Sequence, residues 1–158
     1  MANGTLRRGF SVVEILFGAA IMTTVLIGIA STFNLFLATG LQNTQKIQSA
    51  LYAEEALEVS RFLRDAGWDA NIAPLSTTTP HNAVYQSGAW SFSTTSFSVG
   101  NFTRTVWFQD AYRDGASALV EAGGTLDPNV RRLTVEVSWP GAATSTRVTT
   151  YLTDLLGN

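Results

Sequence analysis

The sequence predicts an α+β protein, in which a long N-terminal transmembrane α-helix packs its outer half on a small antiparallel β-sheet. Three observations carry that expectation. Ile15 to Leu41 is a run of 27 residues with neither a charge nor a proline. No proline interrupts residues 10 to 66, so helical character can continue well beyond the apolar run. From Trp90 onward the chain changes to two-residue alternation, the period of a half-buried strand.

The apolar run comes first. A bilayer core is crossed by roughly 20 helical residues, so Ile15 to Leu41 is long enough to span. Its polar members, Thr23, Thr24, Ser31, Thr32, Asn34 and Thr39, can mostly bond back to the preceding turn and do not forbid insertion. Arg7 and Arg8 precede the run with no acidic residue before them, and Lys46 is the first charge after Leu41. That asymmetry favours a cytoplasmic N-terminus and places the rest of the chain outside. Glu14 is the anomaly. A carboxylate at the head of an apolar helix costs a few kcal/mol unless it finds a partner, and a functional role is the default reading.

Arg7-Arg8-Gly9-Phe10 followed by Glu14 resembles the processing signal of type IV pilins and pseudopilins. The resemblance implies that the short, polar, basic leader Met1 to Gly9 is removed by prepilin peptidase after Gly9. It further implies that Phe10 becomes the N-methylated N-terminus and that Glu14 is the acidic position that sets assembly register. In such filaments this carboxylate is proposed to pair with the N-terminal amine of a neighbouring subunit, and removing one partner would leave a charge in apolar surroundings at a cost of several kcal/mol. An ordinary secretory signal discards its apolar region, whereas here it would be kept. The blander reading leaves Glu14 in the headgroup zone beside Arg8 of an uncleaved signal anchor.

After Leu41 the helical pattern continues, with Ile47, Ala50, Leu51, Leu57 and Phe62 on one apolar flank and Glu55 and Arg64 near the other. One helix of roughly 55 to 60 residues, about 85 Å long, is expected to end near Asp65-Ala66-Gly67. Gly28 and Gly40 are positions where it could bend, each disfavouring helix by about 1 kcal/mol. The family often carries a proline in the hydrophobic half; Ser31 occupies that region here, so a proline kink is not expected.

Residues 67–88 read as a connecting loop, with Pro74, Pro80 and Ser76-Thr77-Thr78-Thr79. Trp90 and Phe92, with Phe97 and Val99, begin a first strand pair, and Phe102, Arg104, Val106 and Phe108 alternate in a second strand. Tyr112 to Asn129 reads as a loop with one helical turn over 116–122. Leu133, Val135, Val137 and Trp139 share one face of the clearest strand, and Pro140-Gly141-Ala142-Ala143 turns it into a partner whose Val148, Thr150 and Leu152 share a face. The domains are thus a leader over 1–9, a filament-core or membrane helix over 10–41, and a globular part over 42–158 whose sheet occupies 89–158. The C-terminal hairpin also resembles that of PilV-like minor pilins and type II secretion pseudopilins.

Composition narrows the function. The chain has no cysteine, so no disulfide closes a C-terminal loop as in many major pilins. Loss of Arg7 and Arg8 with the leader takes the net charge from −2 to −4, leaving no basic patch for general nucleic-acid binding. His81 is the only histidine and falls in the Pro/Thr loop, which gives a catalytic triad little support. No cofactor and no metal site are expected. Asp110 and Asp114 match no calcium-loop spacing and read as solvated loop acids. Arg131-Arg132 reads as an edge or loop charge pair rather than a DNA contact. Trp68, Trp90, Trp107 and Trp139 read as core or subunit-contact residues rather than a sugar-binding row.

The expected function is structural, not enzymatic: a subunit of a type IV pilus or type II secretion-like pseudopilus, and more a minor subunit or pseudopilin than a major one. The implied partners are prepilin peptidase, other pilin subunits in a homo- or hetero-polymer, an inner-membrane assembly platform, and membrane lipid before assembly. The implied location is a single pass through the cytoplasmic membrane with the C-terminal domain outside, then a surface pilus or periplasmic pseudopilus. The alternative is a signal-anchored extracytoplasmic binding or sensory domain.

Overall fold

A computed structural model of the chain describes residues 9, 11–95, 98–141 and 145–157. The chain divides into two compact units, 1–44 and 45–158. Helix α1 (Val12–Ala66) contributes to both and is helical through Gly28, Ser31 and Gly40, so neither glycine breaks it.

In the first unit every described residue is exposed, including Phe17, Ile21, Leu26, Phe33 and Phe36. The hydroxyls of Thr23, Thr24 and Thr32 donate to the carbonyls of Ala19, Ala20 and Gly28 at 2.8, 2.9 and 2.9 Å. This back-bonding satisfies them within the helix, so they add little polarity to its surface.

The second unit is an α+β domain. Here α1 buries Ser49, Ala53, Ala56, Ser60 and Leu63, spaced four, three, four and three residues apart along one helical stripe. Ala53, Ala56 and Leu63 of this stripe share the core with the buried residues of the sheet. Of the flank that the sequence singles out, Leu57 packs against the core, but Ile47, Leu51 and Phe62 are 58–64% exposed. Hydrophobicity alone does not pick out the buried stripe, because alanine and serine make up most of it.

At its C-terminus α1 is capped by Asn71, whose Nδ2 donates to the carbonyls of Leu63 and Gly67 at 3.1 and 3.0 Å. Asn71 belongs to the short helix α2 (Trp68–Asn71), which places Trp68 in the core, followed by the fully buried Ile72.

Seven strands follow among the described residues. Strands β1 (Asn82–Gln86) and β2 (Ala89–Ser93) form a hairpin closed by Ser87 and Gly88, both at positive φ, 53° and 83°. Such two-residue turns follow the natural twist of the strands, and glycine enters this region without steric cost. A five-stranded antiparallel sheet contains β3 (Ser98–Val99), β4 (Phe102–Arg113), β6 (Thr125–Ser138) and β7 (Thr146–Thr153) in that order, with β5 (Leu119–Val120) paired to β4.

The inner face of this sheet carries Val106, Phe108, Leu133, Val135 and Val137, all fully buried against the α1 stripe. Burial of each such side chain contributes roughly 1.5–3 kcal/mol. Leu152 joins them from β7, and Val148, opposite Val135 on the same face as expected, is 36% exposed because β7 is an outer strand of the sheet.

Three sequence expectations need correction. The loop over 67–88 contains α2 and β1, so strand structure begins at Asn82 rather than at 89. The first strand pair is β1 with β2, while β3 pairs with β4; Phe97 lies outside the described residues. Of the loop expected over 112–129, residues 114–118 and 121–124 are turn and bend, but the rest is strand: the end of β4, the short β5 and the start of β6, with no helical turn over 116–122. Pro128 and the glycines suggest a loop, yet the register jumps between Asp110 and Ala111, whose partners are Arg131 and Asp127. That irregularity passes Pro128 without asking it for a ladder hydrogen bond.

Candidate functional site

The candidate site at the head of the chain begins with Gly9, which is exposed and has no atom within 4 Å of where a Cβ would stand. Arg7, Arg8 and Phe10, expected as leader charges and as the methylation position, lie outside the described residues. The first described backbone bond is Ile15 N–H to the Ser11 carbonyl at 3.1 Å. Glu14 stands in the first turn of α1. There the unpaired N–H groups of the helix carry partial positive charge, which favours a carboxylate by roughly 0.3–1 kcal/mol. This local effect offsets part of the cost of a charge beside an apolar run. Among the described residues no side chain bonds to Glu14.

Beyond Glu14, α1 contains an 18-residue window of mean hydropathy 2.3, none of it buried in the chain's own fold. Length and composition make this segment able to cross a membrane or act as a signal anchor. Gly28 opens a shallow notch on its surface, walled by Val25, Ile29, Thr32, Phe33 and Phe36. No polar face balances this apolar cylinder, so its surface is suited to lipid or to other helices and not to water.

The other singled-out residues do not converge. His81 is 3% exposed rather than a solvated loop residue. Its backbone pairs with Val106 in both directions at 2.8 and 2.7 Å, and its ring packs edge-on to Phe92 and Phe108 at 6.5 and 5.7 Å. Nδ1 has no hydrogen-bond partner among the described residues, and burial lowers the pKa from its usual 6.5. No carboxylate is bonded to this imidazole among those residues.

Asp110 is a strand residue, not a loop acid, and accepts from Arg131 Nη1 at 2.7 Å. Asp114 Oδ1 accepts from the N–H groups of Ala116 and Ala118, both at 2.9 Å, and so shapes a turn. Arg131 and Arg132 are interior strand residues on opposite faces of β6 rather than an edge pair. Arg131 turns inward and also donates to the Ala73 carbonyl at 3.4 Å. Arg132 turns outward, to Gln109 and Glu121.

The tryptophans separate as well. Trp68 is in the core, Trp90 stacks obliquely on Tyr85 with centroids 5.3 Å apart, and Trp139 donates from Nε1 to Gln45 at 3.1 Å. Trp107 is part of the outer sheet face. No group of three or more His, Asp and Glu side chains is placed to hold a metal ion among the described residues.

Sequence reasoning places Arg104 on the same strand face as Phe102, Val106 and Phe108 but assigns it no role. It is 2% exposed in the middle of β4, a position that alternation marks as apolar. Its Nη1 donates to Glu55 and to the Tyr52 carbonyl at 3.0 and 3.3 Å, and Nη2 to the Ala83 carbonyl at 2.8 Å. One guanidinium thereby ties α1, β4 and β1 together.

No family model, curated protein or solved structure matches the chain.

Proposed function

We propose that the chain is a structural subunit of a type IV pilus or type II secretion-like pseudopilus, cut after Gly9, N-methylated at Phe10, and drawn from the membrane into a filament through α1. The observation that carries this reading is an apolar first part of α1 that no described residue covers, with one carboxylate, Glu14, in its first turn, in a sequence headed by Arg7-Arg8-Gly9-Phe10. An apolar helix of this kind can exchange lipid contacts for helix contacts with little change in burial. Packing and small-residue approach then decide association, and the Gly28 notch is the kind of surface that admits a neighbouring side chain. Glu14 supplies register: a subunit at the wrong height leaves its carboxylate without a cationic partner.

The α+β domain is displayed rather than catalytic in this reading. A minor subunit or pseudopilin is favoured over a major one by the absence of cysteine and by the β6–β7 hairpin.

The reading is tested by expressing Gly9→Ala and Glu14→Val in the native host. Gly9→Ala is expected to remain unprocessed. Glu14→Val is expected to be processed but to disappear from sheared filaments or from the secretion apparatus. Normal incorporation of Glu14→Val would refute the register role. The second reading, a signal-anchored extracytoplasmic domain, rests on the same apolar helix and differs in retaining residues 1–9.

A further inference from the structure

The outer face of the five-stranded sheet contains a hollow of about 490 Å³. It is lined chiefly by Trp107, Gln109, Glu121, Arg132, Glu136 and Arg147, with Thr134 and Thr149 across its floor. This size is within the range of small-molecule sites. The hollow is made by side chains that point away from the core, so folding of the domain leaves it unfilled.

Its polar groups are held in place by one another. Arg132 donates through Nε and Nη2 to Gln109 Oε1 at 3.2 and 2.8 Å, and its Nη1 is 2.6 Å from Glu121 Oε1. On the other side of Trp107, Glu136 accepts from Ser145 Oγ at 2.6 Å and from Arg147 Nη2 at 2.9 Å. Those two bonds, Ser145 first, hold the Glu136 carboxyl below its ordinary pKa and keep it an acceptor. Thr134 and Thr149 share one hydroxyl hydrogen bond at 3.1 Å. The guanidinium of Arg132 still has N–H groups to offer, the Gln109 amide offers two more, and each carboxylate retains accepting lone pairs.

We propose that this hollow binds a neutral saccharide, with a sugar ring against Trp107 and its hydroxyls bridging the two charged pairs. The charges decide the class. Two arginines face two glutamates, so a bound anion would meet Glu121 and Glu136 and a bound cation would meet Arg132 and Arg147. A hydroxyl both donates and accepts, and it is served by a site that offers both functions on each side of an aromatic plane. Mutual bonding fixes these side chains beforehand, which lowers the ordering entropy a ligand must overcome. The inference is independent of filament assembly, because every residue it uses lies in the globular unit.

The test uses the full-length chain in a sugar-free zwitterionic detergent, titrated with maltotriose, cellotriose and triacetylchitotriose. The indole N–H resonance of Trp107, assigned by its loss in Trp107→Phe, is the readout. At least one trisaccharide is expected to bind saturably, with Kd on the order of 1 mM, and to move that resonance while leaving that of buried Trp68 in place. Trp107→Ala is expected to weaken binding by about tenfold or more at an unchanged melting temperature. Thr134→Arg, which fills the floor, should abolish binding while leaving Trp107 present. The proposal is overturned if none of the three sugars moves the resonance at about 50 mM. It is equally overturned if Trp107→Ala binds undiminished, or if the site takes a sulfated oligosaccharide and none of the neutral ones.

Discussion

Arg104 Nη1 lies 3.0 Å from Glu55 Oε1, joining the middle of β4 to α1 across the core, and the two ends of the pair differ in exposure. The guanidinium is almost wholly buried, with a side chain 3% exposed, while Glu55 is 43% exposed. Two backbone carbonyls complete the arginine's partners, so the buried charge is supported from both sides of the core.

This asymmetry sets unequal costs for the two ends. Arg104→Met removes the bonds to Glu55 and to the Tyr52 and Ala83 carbonyls and is expected to destabilise the domain by about 2–4 kcal/mol. Glu55→Gln keeps an acceptor at a half-solvated position and is expected to cost less than about 1 kcal/mol. Urea unfolding followed by near-ultraviolet circular dichroism separates the two; equal losses would show that the carboxylate, and not the guanidinium, anchors the junction.

His81 gives the domain an acid-side weakness above the carboxylate range. Burial lowers its folded-state pKa below 6.5, so on acidification the unfolded chain takes up the proton first. Stability is then complete above about pH 6.5 and falls as pH drops toward the lowered folded-state value, with a limiting slope of about 1.4 kcal/mol per pH unit. His81→Phe is expected to flatten the melting temperature as pH falls below about 6.5. An unchanged slope in that variant would assign the acid sensitivity to other groups. Asp127 and Glu136, whose pKa values are lowered chiefly by bonds from Arg113 and Ser145, act in the same direction at lower pH.

Gly124 lies against the Arg113 carbonyl, and a Cβ there would overlap that oxygen. Gly124→Ala must therefore push the far ends of β4 and β6 apart. A loss of about 1–3 kcal/mol is expected, with faster amide exchange over the Tyr112↔Leu126 and Arg113↔Thr125 pairs. Wild-type exchange at those amides would refute the close approach.

On α1, the exposed large residues and the buried small ones should respond in opposite senses. Ala56→Leu forces bulk into a fully buried contact and is expected to cost about 1–3 kcal/mol. Leu51→Ser, at a side chain 58% exposed, is expected to stay within about 0.5 kcal/mol of wild type. Thermal melts of the detergent-solubilised chain provide the comparison, and a large loss in Leu51→Ser would place that side chain in the fold.

The α+β architecture was legible because its strongest signals are periodic and long. The proline-free stretch to Ala66 and the alternation in β4 and β6 each extend over many residues, so local exceptions do not erase them. The helix face in contact with the sheet was hidden, because its contact is made by Ser49, Ala53, Ala56 and Ser60, which carry little hydrophobic signal. The β1–β2 hairpin was hidden by its own brevity: Ser87-Gly88 is a turn signal, but the strand before it is short and follows a Pro/Thr-rich segment. Only the far end of the β4–β6 ladder was concealed, by Pro128, which a register irregularity accommodates and a sequence pattern cannot foresee. Of the candidate assembly site, Glu14 and the apolar run were legible from composition alone, and the first-turn position of Glu14 agrees with where that run begins. Arg104 and the outer-face hollow depend on cross-strand neighbours that only the register brings together.

The most direct test of the account is mass spectrometry of the N-terminal peptide of the mature protein from its native host. A peptide that begins at N-methylated Phe10 and is recovered with filaments or secretion-apparatus fractions is the predicted result. A peptide that still carries Met1 to Gly9 would contradict processing, and α1 would then be the anchor of a tethered domain.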